Sequence, residues 1–265
     1  MPEAHLNLGN ILQQTNRLPE AEAAYRCALR VEPTLATGHR NLSSILLWQN
    51  RHTEALQHAL KAAQHDPVDG ETHNVLGAIF KATQQIEKAE ACFRLALETD
   101  RENPAYHTNL AGALVDAGKL NQAQYHYQQA IQLNAMLPDA HHGLGMLQLQ
   151  TGNLEAGWKN YEWRWQTSQQ NKRPHQGKPE WNGESTPDKT LFVYCEQGLG
   201  DSIQFVRFLI QAAERVDSII LECPPETADL FRTIRVESLT IITVDKTPPP
   251  FDFQIALLSL SLIHI

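Results

Sequence analysis

The sequence predicts an α-solenoid of helix–turn–helix repeats followed by a partial α/β, Rossmann-like domain. Three observations predict it. Side-chain classes recur every 34 residues through the first 165 positions. Composition then shifts from Ala, Leu, Gln and His to runs of Ile, Val, Phe and Leu, across a polar stretch from Gln166 to Lys189. Beyond residue 190, strand-like apolar runs alternate with helical ones. A chain of 265 residues has room for two domains.

The repeat is read first because a missed period would misassign the whole fold. Leu8, Leu42, Leu76, Leu110 and Leu144 share one position, and the small residues Gly9, Ser43, Gly77, Ala111 and Gly145 share the next. Ala21, Ala55, Ala89, Ala123 and Gly157 form a second small set. Tyr25, Ala59, Phe93, Tyr127 and Tyr161 follow, then Ala28, Ala62, Ala96 and Ala130, with Arg164 breaking that last set. Small residues let helices approach to roughly 8–10 Å, and large ones fill the gaps between hairpins. Asn16, Asn50, Gly118 and Gly152 fall between the two helices of their repeats, where a left-handed residue ends a helix. Gln84 occupies the same position in the third repeat and is expected to cost stability there. Pro33 and Pro67 end second helices, whereas Pro104 and Pro138 open first helices.

Asn-Leu-Gly at 7–9, Glu-Ala at 20–21, Tyr25, Ala28-Leu29 and Pro33 resemble the signature of the tetratricopeptide repeat (TPR). The resemblance covers about residues 2–165 in five copies and implies a groove that binds a protein or peptide. The fifth copy departs at Gly157 and Arg164 and is expected to act as a junction. No polar capping helix precedes Pro2, so the array is expected to start within a longer solenoid.

Five histidines are also periodic: His5, His39, His73, His107 and His141. Stacked repeats hold equivalent atoms roughly 9 Å apart, whereas zinc–nitrogen bonds are about 2.0–2.1 Å. A structural role is therefore expected, with no metal and no cofactor. Asn7, Asn41 and Asn109 recur two places later, interrupted by Val75 and Gly143. They resemble the asparagine ladder of O-linked N-acetylglucosamine transferases, whose amides hold a peptide backbone, a task suited to a group with both donor and acceptor. The same three residues also read as solvated helix positions.

Trp158, Tyr161 and Trp165 are spaced i, i+3, i+7, which places them on one helix face, with Trp163 off it. They read as an apolar plug next to the α/β domain, or alternatively as a sugar-stacking platform. Trp181, in the sequence PEWNG of the 166–189 linker, is expected to dock that linker onto a domain.

In the α/β segment, 190–195 reads as a strand, 196–201 as a turn and 202–216 as a helix. Strands at 218–223 and 238–244 flank a helix at 225–235, and 252–257 is a further candidate strand. Such alternation means parallel strands with covering helices. An incomplete sheet of this kind is expected to leave an edge and an apolar face uncovered. Gly198 and Gly200 are expected to permit a tight turn and close ligand approach. Their GxGD spacing lacks both the third glycine of a dinucleotide fingerprint and the lysine of a P-loop.

The string CEQGLGDSIQFVRFL, preceded by PEWNG, resembles bacterial TPR proteins carrying a family 9-type glycosyltransferase domain, relatives of the ADP-heptose–lipopolysaccharide heptosyltransferases. Phe251-Asp252 and Leu257-Leu258-Ser259-Leu260 agree, so the resemblance covers about 176–260. It implies the first half of a GT-B enzyme, with Asp201 as general base toward a glycan acceptor hydroxyl. Glu196, Gln197, Gly198, Gly200 and Arg207 would position acceptor or phosphate. A carboxylate near a helix N-terminus is expected to stay ionised; the competing reading is that Asp201 only caps the helix. In such a fold the half that binds the nucleotide sugar comes second, so this chain is expected to lack the donor site. After Leu260 the family pattern would continue with a proline; residues 261–265 read instead as a non-native tail. Two alternatives stand beside this reading: a non-catalytic TPR scaffold with a degenerate α/β piece, and an O-linked N-acetylglucosamine transferase-like enzyme. The Gly-Asp turn favours the heptosyltransferase type over the latter.

The net charge of −8 is spread evenly, with 13 basic and 17 acidic residues before position 166 and 9 and 13 after it. No Lys/Arg stripe exists, which excludes a nucleic-acid backbone as partner. Cys27, Cys92, Cys195 and Cys223 have no CxxC spacing and read as buried free thiols of a reducing compartment. No signal peptide or spanning segment is visible, and 257–265 is too short to cross a bilayer, so a cytoplasmic location is expected.

Overall fold

The structure, a computed structural model, describes residues 1–167 and 177–263. The chain forms two compact units, Met1–Leu147 and Gln148–Ile265. Residues 168–176 of the expected linker and residues 264 and 265 of the expected tail lie outside the described residues.

The first unit is a run of helical hairpins. Helices α1 (Pro2–Gln14) and α2 (Leu18–Val31) form the first, α3 (Ala36–Trp48) and α4 (His52–His65) the second, and α5 (Gly70–Ala82) and α6 (Ile86–Thr99) the third. Helices α7 (Pro104–Asp116) and α8 (Leu120–Leu133) form the fourth, and α9 (Pro138–Gln150) begins the next. The left-handed positions are those expected: Asn16, Asn50 and Gln84 have φ of 58°, 60° and 60°, and Gly118 has 72°. Each closes the same motif. Arg17 N–H donates to Leu12 O, and Arg51, Gln85 and Lys119 do the same to Leu46, Phe80 and Leu114, all at 2.8 Å.

Leu42, Leu76, Leu110 and Leu144 are buried, as the period requires, but Leu8 is 49% exposed. Tyr25 and Phe93 are fully buried because glycine faces them. A Cβ on Gly9 would stand 2.4 Å from the Tyr25 ring, and one on Gly77 2.6 Å from Phe93.

The second unit opens with α10 (Leu154–Tyr161) and a 3₁₀ turn (Glu162–Gln166). Strand β1 (Thr186–Tyr194) leads to α11 (Leu199–Phe205), a 3₁₀ turn (Val206–Phe208) and α12 (Leu209–Ala213). Strand β2 (Val216–Cys223), helix α13 (Pro225–Phe231) and strands β3 (Leu239–Thr243) and β4 (Phe253–Ala256) follow, then a 3₁₀ turn (Leu258–Ile263). The sheet is parallel throughout, in the order β3-β2-β1-β4.

Two boundaries illustrate where the structure departs from the sequence reading. β1 starts at Thr186, not 190, because Thr186 pairs with Val216 and its N–H donates to Arg215 O at 2.6 Å. That pairing also ends the preceding helix at Ala213, short of 216. The expected 190 boundary followed the apolar run and so missed polar strand residues.

Part of the linker belongs to the sheet. Glu180 bridges Gln254 in parallel, Trp181 N–H donates to Gln254 O, and Gln254 N–H donates to Pro179 O, both at 3.0 Å. Trp181 is buried, with Nε1 donating to Glu184 O. The expected uncovered apolar face is not seen. One face buries Leu191, Val193, Ile219 and Leu221 against Phe205, Leu209 and Phe231 of the helices. The other buries Phe192, Tyr194, Ile220 and Ile242 with Phe251 and Trp165. Phe192 and Phe251 stack at 4.7 Å. Trp158 meets Phe205 edge-on at 5.1 Å and Tyr161 at 5.5 Å, so these aromatics act as packing.

Candidate functional site

Two candidate sites follow from the sequence, one in each unit. In the solenoid, Asn7 is exposed, and its side chain makes no hydrogen bond among the described residues. Asn41 Nδ2 donates to Asn10 Oδ1 at 2.9 Å, and Asn109 Nδ2 donates to Asn74 Oδ1 at 2.7 Å. Asn10 Oδ1 also accepts from the Tyr25 hydroxyl at 2.8 Å. Asn41 Oδ1 takes a 3.3 Å bond from Arg40 Nε, whereas Asn109 Oδ1 has no partner among the described residues. The partners Asn10 and Asn74 lie in the preceding repeats and off the 34-residue register of Asn41 and Asn109. The period therefore could not reveal them.

The periodic histidines have a structural use. Nε2 of His39, His73, His107 and His141 lies 2.9–3.1 Å from the carbonyl oxygen six residues earlier, on Pro33, Pro67, Arg101 and Ala135. Nε2–H is therefore the donor and Nδ1 the acceptor in the neutral ring. In two repeats that Nδ1 meets a second histidine: His39 meets His58 at 2.8 Å and His107 meets His126 at 2.9 Å. Burial, with the neighbouring histidine second, pushes His58 and His126 down to about 4. Among the described residues no group of three or more His, Cys, Asp or Glu could hold a metal.

In the second unit, β1 pairs with β2 on one side and β4 on the other, so the strand order reverses at β1. A crevice beyond the C-terminal ends of such strands is where α/β folds take ligands. Gln197 and Gly198 sit in the turn that leaves β1 there, and Gly200 and Asp201 lie in the first turn of α11. Gly198 is extended, at φ −64° and ψ 169°, and Gly200 lies within α11. Neither adopts the left-handed backbone that the tight-turn expectation implied. A Cβ on Gly200 would meet nothing within 4 Å, and one on Gly198 only Asp201 Oδ2 at 4.0 Å. The glycines thus leave open space above the turn. Asp201 is half-buried and makes no capping hydrogen bond. Arg207 is exposed, 5.0 Å over the Phe208 ring.

Glu196 is engaged elsewhere. Arg164, fully buried, places Nη2 3.2 Å from Glu196 Oε1 and 2.9 Å from Ser259 Oγ. Its Nη1 donates to the Glu162 carboxylate, which also accepts from Ser259 Oγ at 2.8 Å. The guanidinium carbon lies 4.7 Å from both the Tyr161 and Trp165 rings. Burial pushes the Glu196 carboxyl up, against the opposing pull of Arg164 and nearby backbone N–H groups. A charge at the position earlier repeats reserve for alanine was the signal for this cluster.

Models described as the tetratricopeptide repeat match residues 2–35 and 70–103, and one described as TPR repeat matches 111–152. Among solved structures, the chain is similar to TTC0263, a thermophilic TPR protein of Thermus thermophilus, at TM-score 0.57 and 19% identity over 61% of this chain and 89% of that one. It is similar to pilF of Pseudomonas aeruginosa at 0.56 and 21%, over 64% and 78%. It is also similar to a chain of the APC/C hetero-tetramer Cut9–Hcn1 at 0.58 and 14%, over 62% and 33%. These likenesses show the fold. A curated relative, the TPR repeat-containing thioredoxin TTL4 of Arabidopsis thaliana, is 31% identical over 150 residues. That alignment takes in 57% of this chain but spans only 21% of the relative. The first unit is accordingly a solenoid of tetratricopeptide repeats, and the second is a small parallel four-stranded α/β region. No helix among the described residues is long and apolar enough to cross a membrane.

Proposed function

We propose that the solenoid is a binding module for an extended segment of another protein, held along its first helices by asparagine amides. The observation that carries this is the pair of amide bonds joining successive repeats, Asn41 to Asn10 and Asn109 to Asn74. Each bond fixes a rotamer before any ligand arrives, which lowers the ordering cost of binding. Asn109 keeps its carbonyl for a peptide N–H, and Asn7 keeps both halves of its amide. Repeats advance by roughly 10 Å, which about three residues of extended chain span. The amides of Asn7 and Asn41, in successive repeats, would therefore sit about three peptide residues apart, with the gap at Val75 doubling the interval to Asn109. The test is selection of binding peptides from a random display library, followed by calorimetry. Asn41→Ala/Asn109→Ala should weaken the selected peptides about tenfold, the loss of one or two hydrogen bonds. Equal binding to the double variant would sink the assignment.

A second reading concerns the α/β unit and rests on its resemblance to family 9-type glycosyltransferases. What favours it is the placement of the Gln197–Asp201 turn at the reversal point, with open space over both glycines and a carboxylate that no cap engages. Here Asp201 would take the proton of a glycan acceptor hydroxyl while that oxygen bonds to the anomeric carbon of a nucleotide sugar, whose bond to the departing nucleoside diphosphate breaks. Gln197 and Arg207 would position acceptor or phosphate. Glu196 would act only through Arg164. The nucleotide sugar would bind to a second Rossmann-like half outside this chain. In a protein carrying both halves, Asp201→Asn should abolish transfer while thermal unfolding stays unchanged. Full turnover in that variant would remove Asp201 from the chemistry, whereas absence of transfer by the unaltered protein would leave the non-catalytic scaffold as the better account.

A further inference from the structure

A cavity of about 610 Å³ lies in the first unit, bounded by α2, α3 and α4. Its size falls within the range of roughly 300–1,000 Å³ typical of small-molecule sites. Ala23, Leu29, Pro33 and Leu42 give it an apolar lining. His39 and His58 form part of the wall, but His39 has both ring nitrogens bonded and His58 gives Nδ1 to that pair. They present ring surface more than hydrogen-bonding capacity.

The charges at the cavity are unequal in availability. Arg26 is neutralised by Glu22 and Glu54. Arg30 and Lys61 also line the space, and neither has a carboxylate partner among the described residues. The hydrogen bond from Arg30 Nη2 goes to Cys27 Sγ. The site therefore joins an apolar interior to two exposed, uncompensated cations. The chain carries its own comparison two repeats later. Arg94, His107 and His126 repeat Arg26, His39 and His58, down to the paired ring nitrogens. There Glu98 stands in place of Arg30, and Gln129 in place of Lys61. The histidine pair is thus common to both places, whereas the cations belong to the first alone and are not needed for the fold.

We infer that this cavity binds a small amphipathic carboxylate, an aliphatic chain of moderate length whose carboxylate meets Arg30 and Lys61. The apolar lining selects the tail, and a guanidinium fork beside an ammonium selects the planar anion. A compact inorganic anion would leave the apolar lining unused. This site is separate from the asparagine row proposed for peptide binding and stands or falls independently of it.

Titration of the full chain with decanoate at neutral pH, followed by calorimetry, tests the inference. One decanoate should bind per chain, and decyltrimethylammonium and inorganic phosphate should not. Arg30→Glu/Lys61→Gln installs residues that the fold already accepts at 98 and 129. It should weaken decanoate at least about tenfold, the scale of one lost charge-assisted bond, with helical content and melting unchanged. Ala23→Tyr, the residue found at the equivalent position 125, should block the mouth and weaken binding without altering charge. Failure of decanoate to bind, equal binding of the cationic analogue, or unchanged affinity in both variants would overturn the assignment. Tighter binding of a short peptide ending in leucine would likewise overturn the small-molecule assignment.

Discussion

Arg164 Nη2 lies 3.2 Å from Glu196 Oε1, joining the 3₁₀ turn after α10 to the C-terminal end of β1. Arg164 has no exposed side-chain surface and Glu196 only 6%. Four earlier repeats place alanine where Arg164 stands, so the repeat pattern is broken at the point where helical hairpins give way to a sheet. Two carboxylates, a hydroxyl and two aromatic rings surround one guanidinium.

Removing that charge should be costly. Arg164→Ala leaves Glu196 buried without its counter-ion, a change worth about 3–5 kcal/mol. Trp158, Trp163, Trp165 and Trp181 all belong to the second unit, and Trp48 alone to the first. Tryptophan fluorescence in urea therefore reads mainly the second unit and should show an earlier transition. Helical circular dichroism, dominated by the solenoid, should move less. Adding Glu196→Gln to Arg164→Ala should recover part of the loss, because a neutral amide replaces the stranded carboxylate.

The two units should respond to pH in opposite directions. His58 and His126 are held down to about 4 from an unfolded value near 6.5. Between those values the unfolded chain binds more protons, so solenoid stability falls as pH drops from about 6.5 toward 4. Glu196 is shifted the other way, upward by burial. From its unfolded value up to its raised folded one, the native state holds the extra proton, so its contribution falls as pH rises through that window. Urea midpoints read by circular dichroism should therefore climb from pH 4 to 6.5 and then level. In a His58→Asn/His126→Asn variant that climb should largely vanish.

The solenoid was legible because its constraints are local and repeated. Asn16, Asn50 and Gly118 announce left-handed turns by residue type, and Leu42 and Leu110 announce burial by recurrence. Leu8 shares the pattern yet is exposed, so recurrence alone marks the position and not its burial. The second unit was legible as alternation but not in its edges. Thr186 reads as polar linker, and only pairing with Val216 makes it a strand. Arg164 and Ser259 are 95 positions apart, and no spacing rule connects them. Of the sites, the asparagine row was half visible, because Asn10 and Asn74 occupy other registers.

Gln84 offers a test of the turn logic. It is held at φ 60°, a conformation that costs an L-residue roughly 1–2 kcal/mol, where its equivalents are asparagine or glycine. Its side chain has no hydrogen bond among the described residues to lose. Gln84→Gly should stabilise the fold by about 1 kcal/mol once the entropy of glycine in the unfolded chain is allowed for, read as a higher urea midpoint. Gly118→Gln, the reverse change at φ 72°, should destabilise it by a similar amount.

Two glycine-to-alanine substitutions should behave oppositely, and their contrast bears on the second unit's role. A Cβ on Gly77 would lie 2.6 Å from the Phe93 ring, which is itself fully buried. Gly77→Ala should therefore cost about 1–3 kcal/mol through overpacking. A Cβ on Gly200 meets nothing within 4 Å, and the residue lies inside α11 with no left-handed backbone. Alanine there should stabilise the helix by about 0.5–1 kcal/mol. The fold alone thus gives no reason for glycine at 200. If Gly200→Ala raises the unfolding midpoint and yet abolishes glycosyl transfer in a protein carrying both halves, the empty space above the turn is occupied by substrate. If both stability and transfer survive, the glycine has no part in the chemistry, and the reading that gives this turn to an acceptor fails with it.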